Sequence, residues 1–256
     1  LAAGRRRRAG PRLALHAQEH GPAEADAQAR RADAAPRGRG CQGAVPGARG
    51  AAYPTPETGR NGQAAGLRRM RIIAGRWRGK QLAGPKDARV RPTTDRVKEA
   101  LFNVLAHAPW APEIAGARVL DLFAGSGALG LEALSRGAHW VCLVDNHAES
   151  RALVRRNIEA LGATGATKLF SRSATDLGPM PAVAGGPFAL VFCDPPYGSG
   201  LGPAALASAR AGGWLADGAL CILELDKGED VPEIEGFETL DDRTYGETRL
   251  LFLTAA

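Results

Sequence analysis

The sequence is poor in the features that mark several protein classes. It has four cysteines, Cys41, Cys142, Cys193 and Cys221, and no C-x-x-C pair. That excludes a disulfide framework and a zinc-ribbon spacing. Three of the four lie inside apolar runs, where a buried thiol is the ordinary reading. No run of 18 or more apolar residues occurs, so no membrane-spanning helix is expected. His107, His139 and His147 show no ligand spacing, and no metal site is expected. A reducing, cytoplasmic setting fits this pattern.

Residues 1–69 lack Ser, Ile, Phe, Trp and Lys altogether. Ala, Gly, Pro and Arg make up 48 of these 69 positions, with no helical or strand period. Such a segment buries too little apolar surface to offset its chain entropy. Residues 1–69 are therefore expected to be disordered, as an upstream extension, a transit peptide or an RNA-binding arm. Met70 opens a segment of different character.

The formal net charge of +6 hides an asymmetry. Residues 1–69 carry +8, from 13 Arg against 5 acids, and residues 70–100 carry +6, from 9 Lys and Arg against 3 acids. Residues 101–256 carry −8, from 11 bases against 19 acids. A basic arm on an acidic body suits an enzyme that holds nucleic acid at one edge.

Residues 70–110 read as a basic hairpin followed by a helix. Arg71-Ile-Ile-Ala-Gly-Arg-Trp-Arg-Gly-Lys80 alternates apolar and basic residues, presenting Arg76, Arg78 and Lys80 on an open face. Arg91-Pro-Thr-Thr-Asp95 leads into a helix capped by Thr94 or Asp95, with Val97, Leu101, Val104, Leu105 and Ala108 on its inner face. Residues 111–256 form a second region of alternating strands and helices. Strands are expected at 119–123, 140–144, 168–171, 188–193, 219–225 and 249–254, with one helix from the Gly-rich turn to near Gly137 and another from about Glu149 to Leu161. Continuous apolar strands separated by helices predict an α/β doubly wound domain with a mostly parallel sheet.

Three motifs lie at strand ends. Asp121-Leu-Phe-Ala-Gly125-Ser-Gly127 turns sharply out of the first strand. A Gly-rich turn alone also fits nicotinamide enzymes, but Asp121 within it would repel a pyrophosphate and can meet an ammonium group. Asp145 ends the next strand, 18 residues past Gly127, where an acid can accept both hydroxyls of a ribose. Asp194-Pro195-Pro196-Tyr197 follows a buried strand, and its prolines stiffen the backbone. The Asp194 carboxylate and Pro195 carbonyl are both acceptors, matched to the two N–H groups of an exocyclic amine. Tyr197 adds a stacking face for a base.

The order DLFAGSG, strand-end acid, DPPY resembles that of amino-directed methyltransferases. With Met70-Arg-Ile-Ile-Ala-Gly-Arg-Trp-Arg-Gly-Lys80 and Arg91-Pro-Thr-Thr-Asp-Arg-Val-Lys98, the chain resembles the RsmD-type family over about Met70 to Leu253. That family methylates N2 of a guanine in bacterial 16S rRNA. The resemblance implies a Rossmann-like class I methyltransferase fold, with a seven-stranded sheet and helices on both faces. It implies S-adenosyl-L-methionine as cofactor, with Asp121, Phe123, Gly125 and Gly127 at its methionine end and Asp145 on its ribose. Ser173, with Asp176 in reserve, is the candidate adenine contact. Asp194, Pro195 and Tyr197 would engage the guanine. Arg71, Arg76, Arg78, Lys80, Arg91 and Arg96 would face RNA, with Arg91, Thr93, Asp95 and Arg96 near both the cofactor and the RNA, and Tyr245-Gly246 would lie in a late hairpin. The expected partner is 16S ribosomal RNA, alone or in an assembling small subunit, bound by a monomer. A DNA amino methylase, a nicotinamide oxidoreductase and a non-catalytic RNA-binding protein are the rivals. The first would ordinarily need a separate recognition domain, for which the 187 residues from Met70 leave little room.

Overall fold

A computed structural model of the chain describes residues 70–85 and 95–256. The readings on residues 1–69, and on Arg91, Thr93 and Thr94, fall outside the described residues.

A seven-stranded sheet with the order β3-β2-β1-β4-β5-β7-β6 forms the centre. Its strands are β1 (Arg118–Leu122), β2 (Trp140–Val144), β3 (Thr167–Phe170), β4 (Phe188–Cys193), β5 (Leu215–Asp226), β6 (Phe237–Tyr245) and β7 (Thr248–Ala255). Strands β1 to β5 pair in parallel, whereas β7 is antiparallel to both β5 and β6. The parallel strands are buried on both faces, which is why they read as unbroken apolar runs.

Alternate strand residues supply two cores. Val119, Val141, Leu143, Leu190, Phe192, Ile222, Leu250 and Phe252 pack under helices α1 (Asp95–His107), α2 (Ala128–Ser135) and α3 (Ala148–Ala160). Leu120, Leu122, Cys142, Val144, Val191, Cys193 and Leu223 face Trp214 and helix α4 (Leu201–Ala211). Helix α1 buries Val97, Leu101, Val104 and Leu105 as its period requires, together with Lys98 and Phe102.

The structure corrects several sequence readings. Strand β5 begins at Leu215, four residues before its apolar run; a register shift between Phe188 and Leu190 accommodates the early part, and Gly218 there has φ +67°. Strand β6 carries no apolar alternation, because it is an edge strand whose Phe237-Glu-Thr-Leu-Asp-Asp-Arg-Thr-Tyr245 is exposed or half-buried throughout. The helix after the glycine turn stops at Ser135 rather than near Gly137. Residues 71–81 are not a regular two-stranded hairpin. One bridge joins Arg71 and Gln81, and the chain between them is mostly turn. Its alternation has another cause: Ile72 and Leu82 join the α1–α3 core, while Arg71, Arg76, Arg78 and Lys80 stay exposed.

That segment is held by side chains of the adjacent helices. Glu132 of α2 is fully buried and accepts the N–H groups of Ile73 at 2.7 Å and Ala74 at 3.0 Å. The same carboxylate meets Lys98 Nζ at 3.5 Å and Arg136 Nε at 2.8 Å. Lys98, also buried, donates to the carbonyl of Arg71. Burial lowers the Lys98 pKa, and the Glu132 charge opposes that shift. Ser135 Oγ donates to Ala74 O at 2.6 Å and accepts Trp77 N–H at 3.0 Å. Gly75 has φ +78°, and a Cβ there would lie 1.9 Å from Ser135 O, so only glycine fits.

Replacing Glu132 by Ala would leave Lys98 buried without its carboxylate. Such losses cost about 3–5 kcal/mol. The expected fall in melting temperature is at least about 6 °C for a domain of this size. Differential scanning calorimetry reads this directly, and an unchanged transition would show that Glu132 is not an anchor.

Candidate active site

The strand order reverses between β1 and β4, and this places a crevice at their carboxyl ends. The last paired residues of β2 and β4, Val144 and Cys193, both stand level with Leu122 of β1. Asp145 and Asp194 follow them directly. In β5, Glu224 follows Leu223, the partner of Cys193. Strand alternation puts Asp121, Asp145, Asp194 and Glu224 on the α1–α3 side, two residues beyond Val119, Leu143, Phe192 and Ile222 of that core. A row of four carboxyl groups therefore crosses one edge of the sheet.

Asp121 is 2% exposed, and its Oδ2 accepts Gly130 N–H at 2.9 Å in the first turn of α2. Burial raises its pKa well above the ordinary carboxyl range. The Gly130 hydrogen bond opposes this, and the charges of Asp194 and Asp145 add to it. A Cβ on Gly130 would meet Val141 at 2.8 Å and Asp121 Oδ2 at 2.9 Å, so glycine allows this close approach. Asp121 thus lies beneath the turn rather than on its open surface.

The turn itself is tightly held. Phe123 adopts φ +57°, a left-handed conformation costing about 1–2 kcal/mol for a non-glycine residue. Gly125 N–H donates to Asp145 Oδ2 at 2.9 Å, and Gly127 N–H to Ala124 O at 2.6 Å. Asp145 Oδ1 accepts His147 N–H at 2.8 Å. Each oxygen of Asp145 thus takes one backbone N–H and keeps lone-pair capacity for a further donor. Asn157 of α3 ties the turn to the N-terminal segment. Its amide donates to Ser126 O at 2.9 Å and Ala83 O at 3.0 Å, and its Oδ1 accepts Ala83 N–H at 2.7 Å.

At the exit of β4, Pro195 is buried and Asp194 half-buried. Gly202 packs against this corner, where a Cβ would lie 2.5 Å from Leu223 and 3.4 Å from Pro195. The Tyr197 hydroxyl donates to Glu224 Oε1 at 2.6 Å and lies 3.1 Å from Thr248 Oγ1. The phenol is therefore fixed by its hydroxyl at the floor of the site, leaving the half-buried ring as the part able to meet a ligand. Ser173 sits beyond β3 in a local turn, with Oγ 2.8 Å from Thr175 Oγ1, and Asp176 is exposed next to it.

The described cysteines are not nucleophiles. Burial pushes Cys142 and Cys221 up to about 12 and Cys193 well above its ordinary value. Lys98, Glu132, Asn157 and Thr248 are polar groups that motif reading passed over. Asn157 alone left a trace, beside Val154 and Ile158 on the inner face of α3.

A family model described as conserved hypothetical protein 95 matches residues 70–254. The ribosomal RNA small subunit methyltransferase D of Escherichia coli K12 is 42% identical over 171 residues, covering 66% of this chain and 81% of that protein. The chain belongs to the RsmD-type methyltransferase family. The Haemophilus influenzae relative of the same name is 35% identical, with 69% of this chain and 89% of its own covered. The solved structure of yhhF from Escherichia coli superposes with a TM-score of 0.61 at 35% identity, spanning 73% of this chain and 98% of that one. The seven-stranded sheet of this RsmD-type chain thus carries the class I methyltransferase fold.

The basic residues are spread along this fold. Met70 and Ala83 lie by the glycine turn, through Ser126 and Asn157, whereas Arg76 and Trp77 lie against Ser135 at the far end of α2. Eight helical residues separate those ends by about 12 Å. The Arg76 guanidinium stacks on Trp77 at 3.9 Å. Arg71 pairs with Asp95 at 3.1 Å, and Arg96 is exposed on the first turn of α1.

Burial, then the Glu224 charge, raises the Tyr197 pKa. Above the ordinary phenol value of about 10, an unfolded Tyr197 ionises while the folded one keeps its proton, so its stabilising contribution falls as pH rises. Denaturant titrations should show the parental protein losing stability more steeply above pH 10 than Tyr197→Phe does. Equal slopes would mean that the hydroxyl is solvated.

Proposed function

We propose that this protein transfers a methyl group from S-adenosylmethionine to the exocyclic N2 amine of a guanine in small-subunit ribosomal RNA. The observation that carries this reading is the carboxylate row, in which Asp194 and the Pro195 carbonyl stand beside a glycine turn backed by acids.

The residues fit that cofactor and not a dinucleotide. Pyrophosphate sites use free N–H groups at a helix N-terminus. Here Asp121 already takes Gly130 N–H, and Asp145 takes Gly125 N–H. The charges of Asp145 and Asp194 both act on Asp121, and such a group of carboxyls would repel phosphate and favour a ligand with cationic groups. Asp145 would hold the ribose hydroxyls, Phe123, Gly125 and Gly127 the methionine end, and Ser173 the adenine, with Asp121 shaping the turn from below. When bound, S-adenosylmethionine supplies an electrophilic methyl group on a sulfonium.

Asp194 and the Pro195 carbonyl would each accept one N–H of the guanine amine, which turns its lone pair towards that methyl group. As the N–C bond would form and the sulfonium–methyl bond break to leave a neutral thioether, the nitrogen would become cationic and the Asp194 charge would stabilise it. The surplus proton leaves along the Asp194 hydrogen bond, so no strong base is needed beforehand. Tyr197, anchored through Glu224 and Thr248, presents its ring to the extruded base. Exposed Arg76, Arg78, Lys80 and Arg96, with Arg71 and Arg91, would hold the phosphate backbone of the RNA. The chain would act as a cytoplasmic monomer, on free 16S rRNA or on an assembling small subunit.

Asp145→Ala should weaken S-adenosylmethionine binding by about 1–3 kcal/mol, the worth of charge-assisted hydrogen bonds. Isothermal calorimetry measures this without RNA, and unchanged affinity would make Asp145 a turn residue only. Asp194→Ala should slow single-turnover methylation by on the order of 10²–10⁴ with saturating RNA. Its effect on cofactor affinity should be small. Asp194→Asn should be milder, since its side-chain oxygen still accepts. Methylation by Asp194→Ala at the parental rate would break the assignment at its centre.

A further inference from the structure

A cavity of about 460 Å³ opens between α1 and the β6–β7 hairpin. Its walls include Asn103, Val104 and His107 of α1, Trp110 just beyond, and Arg243 and Tyr245 of β6. It lies beside the candidate site, not over the glycine turn. Tyr245 packs against the same core as α1–α3 and pairs across the hairpin with Thr248, whose hydroxyl lies 3.1 Å from that of Tyr197. The cavity therefore shares a sheet face and an edge with Asp194. Strand β6 stands three places from β4 in the sheet, or about 14 Å at ordinary strand spacing.

The walls are preset. The Trp110 ring packs on Phe252 at a centroid distance of 5.0 Å, tilted by 53°. Arg243 is tied to Asp241 at 2.8 Å through both Nε and a terminal nitrogen, so its planar fork is fixed and its charge is offset. His107 Nδ1 meets the Asn103 carbonyl at 2.7 Å, which requires the proton on Nδ1. In the neutral ring Nε2 is then an acceptor. Two aromatic rings, a fixed guanidinium plane, an imidazole acceptor and a carboxamide are the groups that stack on a nucleobase and read its edges.

Pulling a target base out of its stack leaves its neighbours without a stacking partner, and a wall of this kind replaces what they lose. We propose that the cavity is a second nucleobase subsite, taking the base one or two nucleotides from the methylated one and so fixing the register of the RNA strand. The proposal rests on the RNA-methyltransferase reading above. Asn103, His107 and Arg243 are positioning residues in it and take no part in the chemistry.

The test pairs protein variants with RNA variants. Fluorescence anisotropy would measure the affinity of a small-subunit rRNA fragment for the parental protein, for Arg243→Ala and for the double variant Asn103→Ala with His107→Ala. All three residues have exposed side chains. A series of fragments would carry an abasic site at each of the two positions on either side of the target guanine. One abasic position should weaken parental binding about tenfold, within the range for loss of one stacked base. Each protein variant should weaken the intact RNA similarly, and variant and abasic site together should do no worse than either alone. In turnover the loss should appear in KM far more than in kcat. Parental affinity for every fragment in both variants, or losses that multiply, would overturn the subsite. Anisotropy needs no methyl transfer. Failure to methylate with the coupling intact would therefore sink the functional reading and leave the subsite standing.

Discussion

The carboxylate of Glu132 joins three parts of the chain, the segment after Met70, α1 and α2. It lies in an apolar helix, takes two backbone N–H groups from the segment after Met70, and balances Lys98 of α1 and Arg136 of its own helix. A buried charge is tolerated only when its hydrogen bonds and counter-charges are all in place. That requirement fixes where the N-terminal segment and α1 lie against α2. The same segment then reaches Asn157, which also holds the carbonyl of Ser126 in the glycine turn. The turn is thus held by Asp145 at Gly125 and by Asn157 at Ser126, with Asp121 fixing Gly130 just beyond it. Such clamping lets Phe123 persist in a left-handed conformation.

The carboxyl row gives the site its electrostatic character. Asp145, Asp121, Asp194 and Glu224 occupy four adjacent strands on one face, and each has a different task. Asp121 caps α2, Asp145 braces the turn, Glu224 anchors Tyr197, and Asp194 stands at the crevice beside the buried Pro195. An edge this acidic suits a cationic ligand and repels phosphate. The basic residues lie instead beside α1 and at the far end of α2.

The parallel part of the sheet was legible in the sequence because burial on both faces forces continuous apolar runs. Trp140–Val144 and Phe188–Cys193 have the expected limits for that reason. Asp145 and Asp194 were legible because each closes such a run, and Asp121 because it interrupts one just before the glycine turn. Strand β6 was not, since an exposed edge needs no apolar alternation, and α4 was hidden by Gly202, Pro203 and its small residues. A Cβ at Gly202 would lie 2.5 Å from a methyl of Leu223, a tertiary reason for glycine that no local pattern shows. Glu132 and Lys98 look like ordinary helix charges, and only the docking of residues 71–77 buries them. The partner of the Tyr197 hydroxyl was equally hidden, because Glu224 and Thr248 come from strands 27 and 51 residues away.

In the proposed reaction the Asp194 corner presents a guanine amine to the methyl donor. Incubation of the protein with methyl-labelled S-adenosylmethionine and unmodified small-subunit ribosomal RNA, followed by digestion to nucleosides, tests it most directly. Label is expected in N2-methylguanosine at a single position. Label in N6-methyladenosine or N4-methylcytidine, or no label in RNA under conditions where the cofactor binds, would contradict it.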